Sequence, residues 1–274
     1  MLNIKMTIPK KKRPLVFVLL ALWLAILITV IVLSAVKSVS GEPRRLPVYS
    51  VDRNDNKIAL TFNCAWGDET TDEVLALLKK NKIKATFFFV GTFAEKYPES
   101  VKKIYNAGHA IGNHSMAHKD PAAMDYNEIL GDITACNEIL SRLTGKEIGL
   151  YRAPSGSYDN NTIEAAESLG LTPVQWSVDS IDWKHITPEK MTERICSGVF
   201  PGSIVLFHLG MENTAEALPS IIRNLQAEHY EFVTVPELLL QGETYIDHSG
   251  KQRHAEQKEA ESNNEPAVDA FLLF

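Results

Sequence analysis

His114 and His118 stand four residues apart in the stretch Gly108-His109-Ala110-Ile111-Gly112-Asn113-His114-Ser115-Met116-Ala117-His118, which holds three of the chain's eight histidines. If Ser115 opens a helical turn, both imidazoles project to one side, a spacing with which two histidines hold a divalent metal. The plainer alternative is a pair of solvated or capping histidines on a loop. Ser115 rather than Glu follows His114, so this is not the His-Glu-x-x-His motif and any general base comes from elsewhere in the chain.

Other reactive residues fall at comparable places. Asn63, His114, Arg152, Asp179 and His208 each close or follow a short apolar run of β type. In parallel α/β folds the C-terminal strand ends share one face, where ligands bind. A loop Arg, a capping Asp or a core His accounts for any one of the five, but not readily for all five together. The chemistry such a set supports is metal-assisted hydrolysis. Two histidines and a carboxylate hold the metal, another carboxylate takes a proton from water, and a separate histidine gives one to the leaving group. Asp179 is placed to orient His208. Tyr158 and the Asp182-Trp183 pair suit a sugar groove, with core packing as the alternative for Trp183.

The elements that must position these residues follow a rhythm. Strand-like runs occur at 58–62, 85–90, 109–114, 148–151, 173–178, 203–207 and 231–235. Helical patterns separate them: 71–80, 98–106 with Pro98 in its first turn, 125–143 opened by Asp125 and Glu128, 160–169 closed by Gly170, one begun by Thr187-Pro188, and 215–227. Continuous apolar strands alternating with helices predict one α/β domain around a parallel sheet, either a barrel or an open doubly wound sheet.

The expected organisation is a basic segment at 1–13, a membrane span at 14–36, a polar stalk at 37–56, the α/β domain at 57–247 and a polar, disordered tail at 248–274. No charge interrupts 14–36, long enough as a helix to cross a bilayer, and five Lys/Arg precede it. That predicts a single-pass cell-membrane anchor with a cytoplasmic N-terminus and the domain outside. A signal peptide cleaved after Ser40 is the rival reading. Of 28 Lys/Arg, six lie in residues 1–40, which hold no Asp or Glu, leaving 22 basic against 34 acidic residues in the rest. This balance argues against nucleic acid as a partner. Cys64, Cys136 and Cys196 are odd in number and form no disulfide framework.

With these residues in place the chain resembles the polysaccharide deacetylases of the NodB-homology type, carbohydrate esterase family 4. The resemblance spans about residues 57–240. It rests on Thr61-Phe62, on His114 through His118, on Arg152-Ala153-Pro154-Ser155-Gly156, on Asp179-Ser180-Ile181-Asp182-Trp183 and on Val205-Leu206-Phe207-His208. The apolar N-terminal run and Ala65-Trp66-Gly67-Asp68-Glu69 look most like the sporulation-associated, membrane-anchored branch of Gram-positive bacteria. The resemblance implies a deformed (β/α)7 barrel, a divalent metal, usually zinc, and removal of N-acetyl groups from peptidoglycan or chitin-like cell-wall polysaccharide. It implies His114 and His118 as metal ligands, His208 as general acid, Asp179 as its partner, and Arg152, Pro154, Asp182 and Trp183 as groove walls.

One motif departs from the family's pattern. Two adjacent Asp normally follow Thr-Phe, the first as base and the second as third metal ligand, and here Asn63 and Cys64 stand there. An amide does not accept a proton at neutral pH. Asp68 is the nearest replacement as third ligand or base, Cys64 as a thiolate ligand is an alternative, and Glu69 is a weaker one. Two readings therefore stand: a deacetylase with a rearranged base, or a catalytically impaired protein of this fold that binds cell-wall glycan.

Overall fold

Among the described residues the main sheet has eight strands, all paired in parallel, and site residues stand at or just after the C-terminal ends of five of them. The computed structural model describes residues 18, 21–29 and 43–257. The strands are β1 (Ser50–Val51), β2 (Lys57–Cys64), β3 (Thr86–Phe89), β4 (Ala110–Asn113), β5 (Leu150–Tyr151), β6 (Thr172–Pro173), β7 (Val178–Asp179), β8 (Ile204–His208), β9 (Glu231–Phe232), β10 (Thr244–Ile246) and β11 (Lys251–His254). The main sheet runs β6-β5-β4-β3-β2-β8-β7, with β9 added to the start of β2. Among the described residues no pairing joins β6 to β7, so the barrel is open there, a deformed form of the expected (β/α)7 arrangement.

β2 is the longest of the described strands and pairs with β3, β8 and β9. Ile58 through Cys64 are all buried, and Phe62 stacks on Phe87 and Phe207 from its two neighbours. Register brings Asn63 level with His208 on β8 and with Phe88 on β3. Asn63, next to the end of β2, and His208, at the end of β8, thus meet at one rim.

The helices start where side chains satisfy the first free N–H groups. Asp125 accepts from the Glu128 N–H and Glu128 accepts from the Asp125 N–H, a reciprocal cap that opens helix Tyr126–Thr144. Gly145 closes it at φ +69°, a left-handed conformation that costs glycine little. Thr187 caps helix Pro188–Gly198, and helix Glu212–Ala227 begins three residues before the periodic pattern does.

Three expectations change. The single strand expected at 173–178 is two, because the backbone between them is engaged elsewhere: the Gln175 N–H donates to the Val48 carbonyl and the Gln175 carbonyl accepts from Arg152. The stalk and tail are partly folded. β1 pairs with β11, which pairs with β10, so residues 50–51 and 244–254 form a small mixed sheet and the polar run after 248 opens as a strand. The short helices Gly91–Lys96 and Val235–Leu238 carry too few residues to show a period in sequence.

Residues Met1–Arg44 form a unit separate from Arg45–Phe274. Of the expected span at 14–36, residues 18 and 21–29 are helical and exposed; the remainder lies outside the described residues. Among the described residues no helix is long and apolar enough to cross a membrane.

Candidate active site

The histidine pair sits on a tight turn rather than a helical one. Ser115 and His118 both have left-handed backbone, φ +69° and +55°. Side chains hold the turn: Asn113 Oδ1 accepts from the Ser115 N–H, Asp132 Oδ2 from the Met116 N–H, and Ser115 Oγ from the His118 N–H. Asn113 is itself anchored to helix Tyr126–Thr144 through the Ile133 carbonyl and Asn137. The two imidazoles nevertheless meet, with ring centroids 5.1 Å apart and planes at 82°.

His114 is fully buried, with Nδ1 2.7 Å from the Arg152 carbonyl. A carbonyl only accepts, so Nδ1 carries the proton and Nε2 presents a lone pair. That Nε2 is buried and has no protein partner. Burial first, then the neighbouring His118, hold this ring well below the ordinary histidine range and keep it neutral.

Arg152 lies under the rim, fully buried. One guanidinium nitrogen donates to Thr61 Oγ1 at 2.9 Å and to Asn63 Oδ1 at 3.1 Å, and another donates to the Gln175 carbonyl at 3.0 Å. Phe88 lies 4.0 Å beneath it as a cation–π surface. All three hydrogen-bond partners are neutral, and burial brings Arg152 down to about 9 while Asp179 opposes the shift.

His208 is held by Asp182, not by Asp179. Asp182 Oδ1 stands 2.6 Å from His208 Nδ1, and Oδ2 accepts from the His208 N–H at 2.7 Å and from Thr214 Oγ1 at 2.6 Å. Burial raises the Asp182 carboxyl, but the bonds from His208 and Thr214 outweigh it and hold the group below the usual carboxylate range. Asp179 instead accepts from the Ile181 N–H, and its carbonyl accepts from Arg194. The sequence offered two aspartates three apart, and the left-handed turn at Ile181 selects the second.

The remaining candidates divide. Asp68 is turned away: its carboxylate accepts from Ser100 Oγ at 2.6 Å and its carbonyl caps Thr71. Cys64 packs in the apolar core, where burial pushes its thiol well up, against thiolate ligation. Successive residues of a strand face opposite ways, so Asn63 reaches the rim and Cys64 does not. Tyr158 is buried with its hydroxyl 3.1 Å from that of Tyr49, and Pro154 is buried at the start of a 3₁₀ turn, so neither lines an open groove. Arg152 and Asp182 are likewise interior. Trp183 alone of the expected sugar contacts is open to solvent, 46% exposed. Sequence reading gave no site role to Trp66, whose ring lies 4.9 Å from that of His208, or to the supporting Thr61, Asn113, Asp132 and Thr214. Their signal was weak: polar residues in or beside buried runs.

A hydrolytic divalent metal takes three protein donors and leaves a place for water. His114 Nε2 and the His118 ring supply two. Among the described residues no group of three His, Cys, Asp or Glu side chains converges to hold a metal. The residues present therefore do not fit the three-ligand zinc site that the motifs led us to expect.

The family model for polysaccharide deacetylases matches residues 50–174. A peptidoglycan-N-acetylglucosamine deacetylase of Bacillus cereus is 37% identical over 194 residues, covering 69% of this chain and 70% of that protein. The peptidoglycan-N-acetylmuramic acid deacetylase PdaA of Bacillus subtilis is 32% identical, covering 71% and 76%. Among solved structures, a CE4 family pseudoenzyme from Bacillus anthracis matches with TM-score 0.68 and 32% identity over 70% of this chain and 68% of that one. A mutant of that pseudoenzyme, described as having restored enzymatic activity, superposes with the same TM-score and identity over 70% of each chain.

Proposed function

The chain belongs to the polysaccharide deacetylase family, and from that membership we propose that it engages N-acetylglucosamine-containing cell-wall polysaccharide, peptidoglycan above all, with an N-deacetylation site that is only half built. The proton-donating half is present. Asp182 fixes His208 through Nδ1 and stabilises an imidazolium, so Nε2 is the atom that gives a proton to a departing amine. The water-activating half is absent. Asn63 stands where the family's base stands and cannot take a proton from water.

The observation that carries this reading is the contact of Asn63 Oδ1 with Arg152: the guanidinium under the rim is matched to an amide, and among the described residues no third His, Cys, Asp or Glu joins the histidine pair to hold a metal. The pseudoenzyme among the similar structures supports it as a precedent within the family. Co-sedimentation of the full chain with purified peptidoglycan, combined with acetate release, tests it. Binding without acetate is expected, and acetate release gained by Asn63→Asp would show that the base alone is missing. Failure to bind peptidoglycan overturns it.

The intact Asp182–His208 pair supports a second reading, an active N-deacetylase with an unconventional base. Zinc-dependent acetate release by the unaltered chain decides for it. We further propose that residues 14–36 anchor the chain in the cell membrane of a sporulating Gram-positive bacterium, with the domain outside; the uncharged run and the five cations before it support this. Extraction of the full chain from membranes by detergent but not by salt is the corresponding test.

A further inference from the structure

Trp66 leaves 49% of its surface open while one side of its ring rests against His208, centroids 4.9 Å apart and planes tilted by 37°. The loop that carries it is fixed at several points. Gly210, at φ +89°, approaches the Gly67 carbonyl so closely that a Cβ there would lie 2.8 Å from the oxygen. The Gly210 N–H donates to Thr70 Oγ1 at 2.9 Å, and Asp68 is bonded to Ser100. A rigid loop thus holds a large aromatic ring partly open beside the proton-donating histidine.

Next to it lies a cavity of about 660 Å³, lined by Trp66, Glu69, Lys96, Tyr97, Met211 and Glu212 among others. That volume falls within the range of small-ligand sites, roughly 300–1,000 Å³. Its lining combines two aromatic rings with carboxylate, ammonium and backbone groups. An aromatic face beside such hydrogen-bonding groups suits a pyranose, which has an apolar ring face and hydroxyls at its edge.

We infer that Trp66 and this cavity form a subsite for a further hexosamine ring of the glycan, next to the ring presented to His208. The inference rests on the cell-wall glycan reading and adds to it where a neighbouring sugar sits. The three carboxylates of Glu69, Glu212 and Glu216 against the one ammonium of Lys96 around the cavity disfavour a ring that carries its own carboxylate, such as a muramyl unit, and favour an uncharged one such as N-acetylglucosamine.

Calorimetric titration of the full chain with N-acetylglucosamine tetramer and monomer tests this. The unaltered chain is expected to bind the tetramer more tightly than the monomer. Trp66→Ala should lower tetramer affinity by about tenfold, as loss of one aromatic stacking contact implies, and narrow the tetramer-over-monomer preference, while circular dichroism shows the fold retained. Trp66→Phe, which keeps an aromatic face, should retain most of the tetramer affinity. Equal tetramer binding by Trp66→Ala and the unaltered chain overturns the subsite while leaving the glycan reading intact. Absence of binding to either sugar by the unaltered chain removes both.

Discussion

Arg152 Nη1 lies 3.1 Å from Asn63 Oδ1, so a fully buried guanidinium is matched at the site's rim to a neutral amide. Hydrogen bonds to charged partners contribute more than neutral ones, by about 1 kcal/mol. Asn63→Asp should therefore raise stability at pH 7 by roughly that amount. A carboxylate beside Arg152 has its pKa depressed in the folded chain. The gain is then present above the unfolded aspartate value, near 4, and is lost as pH falls through the lower folded value. Urea unfolding at pH 7 and at pH 3 compares the two; a variant less stable than the unaltered chain at pH 7 contradicts the pairing.

Asp182 and Asp179 should differ sharply. Asp182 accepts four hydrogen bonds in the interior, from the His208 ring, the His208 backbone, the Trp183 N–H and Thr214. Asp182→Asn turns part of that acceptor set into a donor and should cost about 2–3 kcal/mol at pH 7. Asp179→Asn keeps an acceptor for the Ile181 N–H and should cost less than about 1 kcal/mol. Equal losses in denaturant titrations of the two variants would show that Asp182 lacks this special place.

His109 should make the domain sensitive to mild acid. It is buried beside Phe87, and its Nδ1 accepts from the Ala85 N–H, a role open only to the neutral ring. Burial first, then Lys84, bring it down to about 4. The unfolded chain takes up this proton near pH 6.5, so the stabilisation is complete above that pH and fades as pH falls toward 4, by up to about 3 kcal/mol. His109→Gln should lose less stability between pH 7 and pH 4.5 than the unaltered chain does. Parallel losses would refute the assignment.

Asp68 should behave as a structural residue. Asp68→Ala removes the Ser100 bond and should cost about 1 kcal/mol in thermal or urea unfolding. Zinc uptake by the full chain, read by metal analysis after dialysis, should be unchanged in this variant and in Cys64→Ala. A drop in bound zinc in either would identify a third ligand.

How far the sequence could be read follows from what each signal depends on. The alternating strands and helices were legible because each is a local pattern, as Asp125 with Glu128 and Thr187 with Pro188 illustrate. The histidine pair was legible too, although by a tight turn and not the helical one inferred. The choice between Asp179 and Asp182 was not, since a left-handed residue at Ile181 decides it and Ile gives no hint of that conformation. The direction of Asp68 depends on Ser100, thirty-two positions away, and the strand at 251–254 on pairing with residues 50–51, contacts that no local pattern encodes. Trp66 was named within its loop, but its contact with His208 joins two distant segments.

Acetate release from N-acetylglucosamine oligomers by the full chain with zinc supplied, alongside His208→Ala, tests the central claim most directly. A site with an acid but no base predicts no release above the His208→Ala level. Sustained release by the unaltered chain, abolished by His208→Ala and by chelator, would contradict it and make Asn63 compatible with catalysis.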